Sequence, residues 1–438
     1  MKNKKKINII PVIFTLFVAV SIISIIFFGK PEKPENAMDE SSVTEQTNNE
    51  PKIVSTATVV NMGDLLMHEP LITGAYNKET GEYDFSGCFS AISSYLEEAD
   101  LAVANLEVTL GGEESGKYAG YPCFNLPDAL ADNVKDAGFS LLLTANNHCY
   151  DTRLLGLKRT ARVLKEKKID FIGTRENESE PIYTVKNING IKIGMACYTY
   201  ENVSDSAAVK SINGVKISAE ANPLISSFNY ARLDAFYTEV ANTISDMRNN
   251  GADCIVFYMH WGEEYQLSPN SWQKNIAQKL CELGVDVIVG GHPHVVQPME
   301  LLTSSDGTRN TVCIYSLGNA ISDQRKERME SCTTGHTEDG ILFYYTFKKM
   351  SDGKTILSDV NIIPTWVEVD RSGAHPLYTI YALENQDDGS KKYSFPDTVA
   401  AQASASYERT KTLVDSSLLA CQGFLKENTV YCAASVTE

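Results

Sequence analysis

The run Leu283-Gly284-Val285-Asp286-Val287-Ile288-Val289-Gly290-Gly291-His292-Pro293-His294 decides the fold. Residues 285–289 are apolar apart from Asp286 and rich in β-branched side chains, which reads as a strand buried on both faces. The segment before it, 271–283, carries Trp272, Ile276, Lys279, Leu280 and Leu283 at helical spacing, with Pro269 as a start signal. Helix, buried strand and polar loop together make the repeating unit of an α/β protein.

That unit recurs along the chain. Strand-like runs fall at 58–61, 101–105, 140–144, 191–198, 254–258 and 313–316, and helical periods at 128–137, 153–167 and 230–250. Near-continuous apolar strands alternating with helices predict an α/β fold with a largely parallel or mixed sheet covered on both faces. Beyond Gly340 the chain turns strand-rich, with Ser351-Asp352-Gly353 as a hairpin turn. Residues 53–369 are read as the α/β domain and 370–438 as a weakly patterned extension.

The start of the chain has a different character. Lys2, Lys4, Lys5 and Lys6 precede an uncharged apolar run at 7–28. At 1.5 Å per residue, such a run crosses a bilayer core of about 30 Å. It exceeds a signal-peptide core and ends in Phe27-Phe28-Gly29-Lys30 without a small-residue cleavage site, so it reads as an uncleaved transmembrane anchor. The lysines keep 1–6 in the cytoplasm, which makes a single-pass cell-membrane protein whose remaining domain is extracytoplasmic. Residues 29–52 are polar and proline-bearing, and read as a disordered linker.

Composition narrows the function. Of 438 residues 43% are hydrophobic, enough for a large core, while 56 acidic residues against 39 basic ones leave a net charge of -17. Such a chain repels nucleic acid, and takes an anionic substrate only where local positive charge, such as bound metal, is supplied. The ten cysteines form no C-x-x-C pair, which argues against a thiolate zinc site. Cys197, Cys254 and Cys313 lie in strand-like runs as buried thiols, and Cys421 with Cys432 is open to pairing.

The chemistry gathers at the strand ends. Five of the seven histidines lie there: His68 and Asp64 after the first strand, His148 beside Asn147 after the third, His260 with Glu263 and Glu264, and His292 and His294. Glu107 follows the second strand. In open α/β sheets the carboxyl ends of strands line the ligand crevice, so these scattered residues are expected on one rim. A mixed shell of carboxylate, amide oxygen and imidazole suits one or two Mn, Fe or Zn ions better than calcium. The glycines before His292 are expected to supply the tight turn that brings two imidazoles to one cluster.

In this order, Gly63-Asp64, Asn105-Leu106-Glu107, Asn146-Asn147-His148, His260-Trp261-Gly262-Glu263-Glu264-Tyr265, Gly291-His292-Pro293-His294-Val295-Val296-Gln297 and Tyr315-Ser316-Leu317-Gly318-Asn319 resemble the motif set of the capsule synthesis protein CapA family. The resemblance implies a metallophosphatase-like fold, a layered α/β sandwich with mixed sheets, and a role in poly-γ-glutamate capsule production. It implies Asp64 and His294 on a first metal, Glu107 bridging, and Asn147, His260 and His292 on a second. His148 would stand beside the leaving group as the catalytic acid. Leu66 occupies the place where such phosphatases usually carry a histidine, which leaves the first metal one ligand short, and Glu107 replaces the usual aspartate. His68 reads as a surface loop residue rather than a replacement ligand.

Around the cluster, Glu264 is a candidate base or substrate contact, with a solvated loop pair as the competing reading. Asn319 is a candidate substrate contact, with a structural turn competing. Tyr200-Glu201-Asn202 lines the crevice or is plain loop, and Trp261 reads as a packing wall. Two functions stand against each other. One is a metal-dependent hydrolase acting on a phosphoester or a γ-glutamyl polymer. The other is a non-catalytic component that binds the anionic polymer beside other capsule synthesis proteins.

Overall fold

A computed structural model describes residues 51–204, 210–384 and 395–432. The expected anchor at 7–28 and tail at 1–6 lie outside the described residues, as does nearly all of the linker at 29–52. Among the described residues no helix is long and apolar enough to cross a membrane.

Residues 51–438 make one compact unit, in which two mixed sheets lie face to face between layers of helices. One side of the first sheet is formed by Ile53–Leu65, Leu101–Leu106, Leu141–Leu143 and, at the edge, Asp170–Ile172, all parallel. On the other side of Ile53–Leu65 the long antiparallel hairpin Asp339–Met350 and Thr355–Asp370 extends the sheet, with Leu377–Ala382 at its edge. The second sheet centres on Ile191–Tyr200, Cys254–His260, Val287–Gly291 and Asn310–Leu317, again parallel, with antiparallel Tyr183–Ile188 and Val296–Thr303 at its ends. The predicted strands and helices all form, and most of the strands run longer than their apolar cores suggested.

Alternation along each strand builds the layers. Val59, Leu101 and Leu141 face the second sheet and meet Ile193, Val256, Val287 and Val312. The opposite residues, such as Val60 and Ala102, pack under Leu130 and Val134 of Ala129–Asp136 and Leu164 of Arg153–Glu166. On the far side, Phe236, Val240 and Met247 of Leu233–Asn249 and Ile276 and Leu280 of Ser271–Leu283 cover the second sheet. Each fully buried aliphatic side chain contributes about 1.5–3 kcal/mol. The strands are buried on both faces, which is why their sequences read as unbroken apolar runs.

The stretch after 370 is part of this body. A helix of 31 residues, Asp397–Glu427, buries Ala403, Ser406, Thr410, Val414, Leu418, Cys421 and Leu425. Val414, Leu418 and Leu425 join the core between the sheets, and contacts run to Thr355–Asp370 of one sheet and Val296–Thr303 of the other. The helix therefore closes the open seam between the two sheets. Its buried stripe is half small or polar, so its apolar period is weak in sequence. Cys421 and Cys432 are both buried free thiols, and it is Cys254 that hydrogen-bonds to Cys432.

Parallel register aligns the strand ends that carry the site. Asp64 pairs with Asn105 on one side and Asn319 on the other, and His260 pairs with Gly291.

Candidate metal centre

Asp64, Glu107, Asn147, His148, His260, His292 and His294 all come together, and all are buried. His260 Nε2 lies 2.7 Å from Asn147 Oδ1 and 3.6 Å from Glu107 Oε1. His294 Nε2 lies 3.8 Å from the same Glu107 oxygen, and His294 Nδ1 lies 3.2 Å from Asp64 Oδ2. Two sets of donors result, each with its atoms within 4.8 Å of one another: Glu107, His260 and His292, and Asp64, Glu107 and His294. Glu107 belongs to both. A third set joins Glu264 to His292 and His294, so the exposed Glu264 carboxylate is within reach of these two imidazoles as a further ligand.

The local backbone explains how two imidazoles one residue apart reach one cluster. The left-handed conformation is adopted by His292 (φ 95°) and His294 (φ 56°) themselves, not by the preceding glycines. Non-glycine residues rarely hold such φ values, and they concentrate at functional loops. Gly290 and Gly291 serve close approach instead. A Cβ on Gly290 would stand 1.9 Å from the Tyr315 carbonyl oxygen, and one on Gly291 would stand 3.0 Å from Asp64 Oδ1.

The ionisation pattern follows from burial and neighbours. Burial pushes the Glu107 carboxyl well above the usual carboxylate range, and the charge of Asp64 adds to the rise. Burial acts on Asp64 in the same direction, but the hydrogen bond and charge of His294 hold it below its ordinary value. Burial depresses His294 too, yet Asp64 more than reverses this and raises it. His260 is pulled down to about 3 by burial, and His292 falls well below its ordinary value by burial and by the charges of the other imidazoles. Two imidazoles are thus neutral with lone pairs available, while Asp64 and His294 form an ion pair.

Two buried atoms of the centre have no hydrogen-bond partner: Glu107 Oε1 and His292 Nδ1. An orphaned buried acceptor costs about 1–3 kcal/mol. Both belong to residues facing the same small volume, and oxygen and imidazole nitrogen are donors a divalent ion accepts. The residues therefore fit the expected metal.

Several neighbours hold the donors in place. The Asn105 amide, which sequence reading quoted without a role, donates to Asp64 Oδ1 at 2.7 Å and to Glu107 Oε2 at 3.1 Å. Asp151 Oδ2 accepts from the Phe124 backbone N–H at 2.7 Å and lies 2.8 Å from His148 Nδ1. Asp151 was not picked out in the sequence; its spacing of three from His148 was the available signal. Asn319 is 1% exposed. Its Oδ1 lies 3.1 Å from His294 Nδ1, and its amide nitrogen donates to Gln324 Oε1 and to the Thr337 carbonyl, both at 2.9 Å. A side chain so engaged orients His294, and little of it is left for a substrate.

His68 stands apart. It is part-buried against Phe124, its Nδ1 accepts from the Asp323 backbone N–H at 3.2 Å, and burial lowers it to about 4. It is a loop brace rather than a surface histidine, and it joins none of the donor sets. Trp261 is the packing wall expected, fully buried with its indole N–H donated to the Tyr315 carbonyl at 3.0 Å. Tyr200 does reach the centre, its ring 4.8 Å from that of His292.

A layered α/β sandwich with carboxylates and imidazoles converging at parallel strand ends defines a class of protein with a candidate metal-binding centre on its rim. The chain belongs to the family of bacterial capsule synthesis proteins, PGA_cap, whose model matches residues 58–324. The resemblance read from the motifs is borne out. The chain is 30% identical over 308 residues to the capsule biosynthesis protein CapA of Bacillus anthracis, covering 69% of this chain and 66% of that protein, just under two thirds of its length. It is 26% identical over 356 residues to the PGA biosynthesis protein CapA of Bacillus subtilis, covering 79% and 80% respectively. A solved structure from Thermus thermophilus, that of TT1561, aligns over 66% of this chain and 94% of its own, at 8% identity and a TM-score of 0.34, too distant to bear on the site.

Proposed function

We propose that this chain is a metal-dependent hydrolase of poly-γ-glutamate capsule biosynthesis, acting on a phosphoester outside the cell while residues 7–28 anchor it in the membrane. The observation that carries the reading is the pair of orphaned donor atoms, Glu107 Oε1 and His292 Nδ1, buried amid three further ligand-type side chains. The relatives named CapA supply the capsule context, and the apolar run behind four lysines supplies the topology.

Asp64, Glu107 and His294 would hold one ion, and Glu107, Asn147, His260 and His292 a second, with Glu264 within reach of His292 and His294. A divalent ion bound there lowers the pKa of water and polarises a phosphoryl oxygen. The protein's own share is positional. Asp151 accepts a hydrogen bond from Nδ1–H of His148, which leaves Nε2 free to take a proton from solvent and, as the imidazolium, pass it to a departing oxygen. Asn105 keeps Asp64 and Glu107 from swinging apart, and Asn319 keeps His294 Nε2 turned toward Glu107.

The test is to purify the full chain, measure bound metal, and assay bis(p-nitrophenyl) phosphate and p-nitrophenyl phosphate with added Mn²⁺ or Zn²⁺. Metal-dependent turnover supports the reading. A chain that binds no metal and stays inert with both ions would refute it.

A further inference from the structure

A cleft of about 650 Å³ opens beside His292, the size of a site for a small organic ligand. Its wall is a stair of rings leading out from the centre. Tyr200 lies 4.8 Å from His292, Tyr230 lies 6.4 Å from Tyr200, and Trp272 lies 5.6 Å from Tyr230. Trp272 is 46% exposed, although its helical spacing had grouped it with core residues. Large aromatic faces left open beside a reactive centre mark binding surface rather than packing.

The stair is held rigidly. The Gly262 backbone N–H donates to the Tyr230 hydroxyl at 3.0 Å. Trp272 sits in the first turn of Ser271–Leu283, whose start is fixed by a reciprocal capping box between Asn270 and Gln273. Gln273 is tied in turn to Gln297 at 2.9 Å.

The polar side of the cleft is acidic. Glu263 and Glu264 line it, and among the described residues no lysine or arginine does. The third carboxylate, Glu201, is already matched by Arg232 at 3.2 Å and Lys210 at 3.7 Å. Carboxylates only accept hydrogen bonds, so the occupant must donate them. A γ-linked polyglutamate would bring one more carboxylate per residue against this wall and against a chain of net charge -17. An ammonium group is better held by rings closing round it than by rings in succession. Flat, hydroxyl-bearing rings answer both demands.

We propose that the cleft binds a sugar ring, so that the substrate of the metal centre is a glycosyl phosphoester whose saccharide stacks along Tyr200, Tyr230 and Trp272 and donates hydroxyls to Glu263. This rests on the reading of the centre as a metal-dependent phosphoester hydrolase, and it specifies the group that reading left open.

Tryptophan emission is the readout, since Trp272 is exposed while Trp261 and Trp366, the other two of three tryptophans, are 0% and 1% exposed. The full chain is titrated with methyl α-glucoside, glucose 1-phosphate, inorganic phosphate, spermidine and a γ-glutamyl oligomer, each with and without Mn²⁺. Expected is a metal-independent emission change with methyl α-glucoside, and tighter, metal-dependent binding of glucose 1-phosphate. In Trp272→Phe the glucose 1-phosphate affinity is kept to within a few-fold, and in Trp272→Ala, followed by calorimetry, it falls about tenfold. If glucose 1-phosphate binds no more tightly than methyl α-glucoside with metal present, the metal reading fails while the sugar cleft stands. If inorganic phosphate matches glucose 1-phosphate, or only spermidine or the γ-glutamyl oligomer shifts the emission, the sugar proposal is overturned and the metal reading survives.

Discussion

His148 Nδ1 lies 2.8 Å from Asp151 Oδ2, and the two side chains are 5% and 2% exposed. The carboxylate also takes the Phe124 backbone N–H, so it cannot rotate away from the ring. The relationship is set by one turn of chain, yet it decides which face of the imidazole meets the metal cluster.

Asp151→Asn keeps an oxygen that can accept from both Phe124 N–H and His148 Nδ1, but removes the negative charge behind the ring. Turnover of a phosphoester falls by about a hundredfold, as expected when a positioned general acid is lost. Metal content stays at the wild-type level, and the loss is far smaller for p-nitrophenyl phosphate, whose leaving group departs without a proton, than for an alkyl phosphate. Equal losses on the two substrates would show that Asp151 is only a brace for the 124 loop.

Metal uptake carries a proton signature. Burial raises Glu107 well above its ordinary value, and the Asp64 pairing raises His294, so both hold protons that an incoming cation must displace. His260, held down to about 3, and His292 have none to lose near neutrality. Affinity should weaken as pH falls from 8 to about 5. Titration calorimetry in buffers of different ionisation enthalpy should report net proton release. Uptake without proton release contradicts this.

Asn319→Ala deletes the partner of His294 Nδ1 and four contacts of its own amide nitrogen. Stability should fall by about 1–3 kcal/mol, as for other buried polar groups left unmatched. Metal affinity should drop with it, more than in Asn319→Asp, which keeps the oxygen. Urea unfolding with and without Mn²⁺ separates the two effects.

The C-terminal helix is pinned by a buried carboxylate. Asp339 accepts from Ser406 Oγ at 2.6 Å and from Arg409 Nε and Nη2 at 2.8 and 2.7 Å. Arg409→Met leaves that charge uncompensated and should cost about 3 kcal/mol. Burial already raises Asp339 to about 6 despite Arg409. A carboxyl raised in the folded state binds more protons there than unfolded, so its stabilising share is full below about pH 4 and is lost as pH rises through 6. The deficit of the variant should therefore shrink as pH falls across that window, as read by urea midpoints.

The sandwich was legible because its strands are buried on both faces. Residues 254–258 carry that burial as an unbroken apolar run and 285–289 as one interrupted only by Asp286, and the donors sit immediately after them. What escaped reading depends on side chains meeting across long separations. Asn105 bridges Asp64 and Glu107, and the identity of an asparagine at a strand end carries no sign of that. Trp272 fitted a helical stripe by spacing, yet the buried stripe runs through Gln273, Ile276, Ala277, Leu280 and Cys281 and leaves Trp272 outside. The helix Asp397–Glu427 hid because Ala403, Ser406 and Thr410 bury without being strongly apolar. The left-handed turns at His292 and His294 were credited to the glycines, whose real task is to admit Asp64 and the Tyr315 carbonyl.

The measurement that bears most directly on the metal centre is equilibrium dialysis of the full chain against Mn²⁺ or Zn²⁺, beside Glu107→Gln. Wild type should retain about one or two equivalents, set by its available ligands. Glu107→Gln, which removes the carboxylate shared by both donor sets, should retain far less while unfolding as cooperatively as wild type. Equal retention by the two proteins, or none by wild type, would contradict a metal site at these strand ends.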